Sequence, residues 1–180
     1  MIDLSYKIFL DYSGNCLLES QYAADSSEFD KCNRNRIASI LFSWIAIELF
    51  VNNMMIDFIS TGSDKFELHE LAFMKEKNLN FESNGEYIGE FRISNNDSYK
   101  RLEDKIVFLT TKFSPSDKTN KSGDLWRRFK SFKSLRDSFT HPNKEKEIEV
   151  NEELTKQCLE CSKDVIRDLA KKVWKKQIDI

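Results

Sequence analysis

Apolar residues recur along most of this chain at three- and four-residue intervals, the spacing of helices that bury one face. The longest such run keeps Phe29, Ile37, Leu41, Trp44, Ile45, Val51, Met55 and Phe58 in phase. It predicts a helix from Ser26 or Ser27 to about Ser60, capped by a serine, with Glu28 and Asp30 in its first turn. Thr61-Gly62-Ser63-Asp64 ends that helix and opens a shorter one over 64–77. The pattern then changes, because residues 77–82 and 86–93 alternate in part and flank Ser83-Asn84-Gly85, which predicts a β-hairpin insertion over 78–93. A third main helix is expected over 98–113, stopped by Ser114-Pro115, and a fourth over 124–140 with Leu125, Phe129, Phe132, Leu135 and Phe139 in phase. The last, over 151–177, aligns Leu154, Cys158, Cys161, Val165, Leu169 and Val173. Residues 1–24 are left as an N-terminal extension with one short amphipathic piece at Leu4–Tyr12. The expected fold is all-α: one domain over 1–180, an up-and-down helical bundle of four to five main helices carrying a small hairpin.

Composition supports helices. With 5 Gly and 2 Pro in 180 residues, the chain has too few turn formers for a β-sandwich or barrel. The apolar run from Ile37 to Ile59 contains Glu48, Asp57 and two asparagines, so it reads as a buried helix and no membrane span is expected. No basic segment followed by a long apolar stretch opens the chain, and the expected location is cytoplasmic, with four reduced cysteines.

The net charge of −2 conceals a strong asymmetry. Residues 1–98 hold 8 Lys/Arg against 16 Asp/Glu, residues 99–146 hold 13 against 6, and residues 147–180 hold 7 against 8. The basic block suits a polyanion, although lysines on solvated helix faces give the same count. Inside it lies Leu135-Arg136-Asp137-Ser138-Phe139-Thr140-His141-Pro142, where a proline stops the fourth helix. Arginine is permanently charged and offers a planar fork of donors to a phosphate. Histidine takes up or releases a proton near neutrality. Together they form minimal equipment for transesterifying a phosphodiester, with no metal required.

The Leu135-Arg136-Asp137-x3-His141 string resembles the signature of HEPN (higher eukaryotes and prokaryotes nucleotide-binding) domains, which places an arginine and a histidine at the end of a late helix. Ala46-Ile47-Glu48-Leu49-x-x-Asn52 and Leu102-x-x-Lys105-x-x-x-Leu109 are similar to helical patterns of the same family. The resemblance implies a metal-independent endoribonuclease without cofactor, of the kind found as toxins or antiviral effectors. It also implies RNA as substrate, a homodimer that joins two motifs in one cleft, and a possible antitoxin protein as partner. In that reading His141 is general base or acid, Arg136 holds the scissile phosphate, and Asp137 orients one of them. Glu48 reaches across to position Arg136 or His141, and Arg127, Arg128, Lys133 and Lys144 contact the RNA backbone. The family equally includes non-catalytic members, so a helical module binding nucleotide, RNA or protein is the alternative.

Each residue also has a structural explanation. Arg136 and His141 close a helix end by bonding its free carbonyls, Asp137 pairs with Lys133 one turn back, and His69 faces solvent. Cys158-x2-Cys161, with Cys16 and Cys32, would complete a zinc set on paper, yet both members are in phase with the apolar face and are expected in the core. No metal site is expected.

Overall fold

The first helix is one that the sequence pattern barely announces. Helix α1 runs Ser5–Asp25, and Tyr6, Leu10, Leu17 and Ala23 on one side of it are buried. Its end explains why it is hard to read. The N–H of Ser27 bonds to Ala24 O and that of Glu28 to Ala23 O, the paired bonds of a Schellman stop. The left-handed residue there is Ser27, φ 60°, where glycine is usual. A serine that announces a helix start thus marks a helix end, and α2 begins two residues later, at Phe29, running to Gly62.

The chain is described from a computed structural model over residues 5–83, 86, 88–141 and 149–180. Among these it is mainly helical, with six α-helices and one two-stranded antiparallel ribbon. Its contacts divide the chain into two compact units, Met1–Phe50 with Leu109–Ile180, and Val51–Phe108, where the sequence reads as one domain.

In the first unit, α5 (Asp124–Thr140) and α6 (Glu152–Leu169) join α1 and the first part of α2. Asn151 caps α6 through its side chain, which accepts from Leu154 N–H at 2.8 Å, and a π-helical turn over Ala170–Trp174 ends it. Close approach of α1, α2 and α6 rests on buried serines. Ser13 Oγ lies 3.0 Å from Ser39 Oγ and 2.7 Å from Ser43 Oγ, and Ser162 Oγ donates to Ser43 O at 2.9 Å. Each hydroxyl finds a partner, as burial requires. Helix α2 is long and apolar enough to cross a membrane, but 56% of its apolar window is buried within the protein.

The second unit holds the rest of α2, a short α3 (Leu68–Met74), strands β1 (Lys77–Phe81) and β2 (Phe91–Asp97), and the start of α4 (Leu102–Phe113). Glu67 and Glu70 close α3 with a capping box. Leu79 pairs with Ile93 and Phe81 with Phe91 across the ribbon. A hairpin is thus present in the expected region, but its second strand starts at Phe91 rather than Glu86 and continues to Asp97, delaying α4 to Leu102. The Asn84-Gly85 turn lies outside the described residues, as does Pro142.

A buried amine organises this unit. Lys105, 6% exposed, meets Glu76 Oε1 at 2.9 Å and Asn52 Oδ1 at 2.9 Å. Glu76 itself sits at φ 51°, a conformation unfavourable for a residue with a Cβ, and its carbonyl and carboxylate accept from Ser98 N–H and Lys100 N–H. Burial pushes the Glu76 carboxyl up, but the Lys105 ammonium and the Lys100 amide outweigh it and hold the group below the ordinary glutamate range. A depressed carboxyl stabilises the fold above its unfolded pKa, and that contribution is lost as pH falls through the folded value. Lys105→Ala is expected to cost roughly 2 kcal/mol at pH 7, less than a fully buried pair because Glu76 is over a third exposed. The deficit should shrink in urea melts repeated at acid pH, with hydrogen exchange of β1 and β2 amides locating the loss in this unit.

Candidate functional site

Phe129, Phe132 and Arg136 recur at three- and four-residue steps on α5, so the arginine continues the face that buries the two phenylalanines. All of them meet Trp44 of α2. Its ring stacks on Phe129 (centroids 5.4 Å apart, planes 13°) and takes Phe132 edge-on at 5.4 Å. The Arg136 guanidinium lies over the same indole, 4.4 Å from the ring centroid, a cation–π contact. Trp44 is 2% exposed.

Two carboxylates complete the setting. Glu48, one turn beyond Trp44, accepts the indole Nε1–H at 2.7 Å and, on the same oxygen, Arg136 Nη2–H at 3.3 Å. Asp137 Oδ1 takes Arg136 Nη1 at 3.0 Å, while its Oδ2 takes Lys133 Nζ at 3.1 Å. The Arg136 Nε is buried and meets no acceptor among the described residues. The Arg136 side chain is 19% exposed, so the guanidinium is held at the rim of the core rather than free in solvent.

His141 is the residue that ends α5. Its N–H bonds to Asp137 O at 2.9 Å and its backbone leaves the helix at φ −130°, ψ 67°. The residue is exposed. Among the described residues no hydrogen bond or ion pair joins its imidazole to Arg136 or to any other side chain. Five helical steps separate the two by about 140° around the axis and about 7.5 Å along it. Arg136, Asp137 and Glu48 are therefore brought together, with His141 at the helix end and its imidazole not bonded to them among the described residues.

The four residues expected to track an RNA backbone are placed less uniformly. Lys133 belongs to the cluster through Asp137. Arg128 is tied to Asp124 at 2.9 Å and to Asp164 at 3.0 Å; burial lowers the pKa of its guanidinium, and the two carboxylates more than reverse this and raise it. Arg127 lies nine residues before Arg136, about 180° around α5, and lines a groove of about 450 Å³ between α5 and α6 with Phe132, Leu135, Leu154 and Cys158. Lys144 lies outside the described residues.

Trp44 is the site residue that sequence reading missed. Its i,i+4 relation to Glu48 and the placing of Arg136 on a phenylalanine face were both visible. That they meet depends on how α2 crosses α5.

Among the described residues no three His, Cys, Asp or Glu side chains gather as metal ligands. His69 is 66% exposed beside Glu67. Cys158 and Cys161 are buried in the core. Burial pushes the Cys158 thiol up to about 12, with Cys161 adding to it, and Cys161 to about 11 by the same cause, against the pull of Arg128. Neither is therefore a ready nucleophile. At pH 8 both are expected to resist a thiol reagent in the native protein and to react fully in denaturant, as mass mapping of labelled peptides would show.

Protein-family models, curated proteins and solved structures were all compared with this chain, and none matches it.

Proposed function

We propose that this protein is a metal-independent endoribonuclease of HEPN type, built on an up-and-down helical bundle and acting as a homodimer in the cytoplasm, as a toxin or defence effector restrained by an antitoxin protein. The observation that carries this reading is the α5 terminus. A permanent cation is held there between an indole and two carboxylates, one residue string away from an exposed histidine, within the basic block of the chain. In the reaction the ribose 2′-oxygen attacks phosphorus, the P–O5′ bond breaks, and the products carry a 2′,3′-cyclic phosphate and a 5′-hydroxyl. His141 takes the 2′-hydroxyl proton or delivers one to the departing 5′-oxygen. Arg136 offsets charge growing on the phosphorane oxygens, and Glu48 with Asp137 orients the guanidinium. Lys133, Arg127, Arg128 and Lys144 supply salt-sensitive backbone contacts.

Incubation of the purified chain with total RNA in EDTA tests this reading. Fragments ending in cyclic phosphate, formed by the native protein and lost in Arg136→Ala and His141→Ala, support it. Absence of cutting, or cutting that survives both changes, defeats it.

A second reading draws on a specific observation: both terminal nitrogens of Arg136 already carry protein carboxylates, and no bond links it to His141. That arrangement suits a non-catalytic module that binds nucleotide, RNA or a protein partner. It predicts RNA or nucleotide binding that His141→Ala leaves unchanged.

A further inference from the structure

The two carboxylates that hold Arg136 are not equivalent, and the difference says where a phosphate can enter. Glu48 uses a single oxygen, Oε1, for both Arg136 Nη2 and Trp44 Nε1. Drawing Glu48 away would strand the indole N–H of a residue that is 2% exposed, and a buried donor without acceptor is costly. Asp137 divides its partners instead, Oδ1 on Arg136 Nη1 and Oδ2 on Lys133 Nζ. If Oδ1 lets go of Arg136, Oδ2 still keeps the Lys133 ammonium. No buried donor is newly left bare, beyond the Arg136 Nε that already meets no acceptor among the described residues, provided the incoming ligand supplies the acceptor for Nη1.

We propose that a phosphodiester oxygen of the ligand binds Arg136 at Nη1 by displacing Asp137, while Trp44 and Glu48 stay as the fixed support of the guanidinium. This rests on the reading of the site as one for RNA and adds its order of events: Asp137 orients the guanidinium only until the ligand arrives and is then exchanged, whereas Glu48 orients it throughout. Each carboxylate carries one negative charge near the same guanidinium, so general electrostatics predicts that neutralising either one strengthens polyanion binding alike. Exchange predicts opposite signs. Removal of Asp137 takes away a competitor worth about as much as a partly exposed ion pair, whereas loss of the Glu48 charge lets the guanidinium turn off the indole.

The test measures the Kd of an uncleavable 2′-O-methyl RNA for the full-length native protein and for Asp137→Ala and Glu48→Gln, with arginine side-chain NMR of Arg136 in the same titrations. The ring-current shift of the guanidinium over Trp44 is the reporter. Expected are a Kd about threefold lower for Asp137→Ala and about tenfold higher for Glu48→Gln, with the ring-shifted Arg136 signals kept in the first variant and lost in the second. A Kd that is unchanged or raised in Asp137→Ala, or lowered in both variants, overturns the exchange. The nuclease reading is judged separately, by RNA cutting in EDTA. A protein that cuts without these opposite shifts keeps that reading and loses the exchange, and one that shows the shifts without cutting does the reverse.

Discussion

On the proposed ribonuclease mechanism, replacing His141 by alanine is expected to lower the rate constant of RNA cleavage by about a thousandfold, the middle of the range for losing a positioned acid or base. The structure makes this a clean experiment. His141 is exposed at the end of α5 and contributes a backbone N–H to the helix stop, which alanine retains. Thermal unfolding should therefore be unmoved while cutting collapses. Because the residue faces solvent, free imidazole has room to reach the vacated position, and adding it to His141→Ala should restore part of the rate. Arg136→Lys is expected to lose about a hundredfold despite keeping the charge. An ammonium has neither the flat face that lies on Trp44 nor the fork that meets Glu48 and Asp137 together. A His141→Ala protein that cuts RNA at the native rate would remove the imidazole from the mechanism.

The largest effect on stability is expected from Trp44→Ala. Trp44 is 2% exposed and packs against Phe129 and Phe132 while its N–H serves Glu48. Truncation leaves a cavity among aromatic rings and also removes the surface on which Arg136 lies. Large-to-small core changes of this kind cost about 4 kcal/mol, which for a chain of this size corresponds to a Tm lower by roughly 10 °C. Trp44→Phe should lose less, because it keeps part of the aromatic packing and a weaker cation–π face, while giving up the bond to Glu48 and some buried volume. Calorimetry of the two variants separates the contributions. Equal melting of Trp44→Ala and the native protein would show that the stack carries no stability.

How much of this was legible beforehand varies by element. The fourth helix, read as 124–140, is observed over Asp124–Thr140, because apolar spacing, an acidic start and a proline beyond its end all agree there. The hairpin followed from alternation around Asn84-Gly85, although its second strand runs on past residue 93 through Ser94-Asn95-Asn96-Asp97, a run of turn-forming residues. Strand pairing overrode the turn chemistry of those residues. Helix α1 was read only as a short amphipathic piece because its covered face includes Ser13 and Ser20, both fully buried, so hydrophobic spacing alone undercounts it. Its end was concealed by a serine in a glycine-like conformation. The division into two units left no composition break that a reader could use.

By itself the sequence determined that this chain is mainly helical, that its basic residues concentrate around one helix end, and that an arginine and a histidine stand there. Those properties are local: they depend on spacing, charge count and one proline. Only the tertiary structure decided what the arginine touches. Trp44 and Glu48 lie 92 and 88 positions before Arg136 in the chain, and their indole and carboxylate become its support because buried aromatic packing fixes the crossing of α2 and α5. No periodicity within either helix encodes that crossing. It follows from side chains interlocking at near-crystalline density, a property of the folded assembly of helices and not of any one segment.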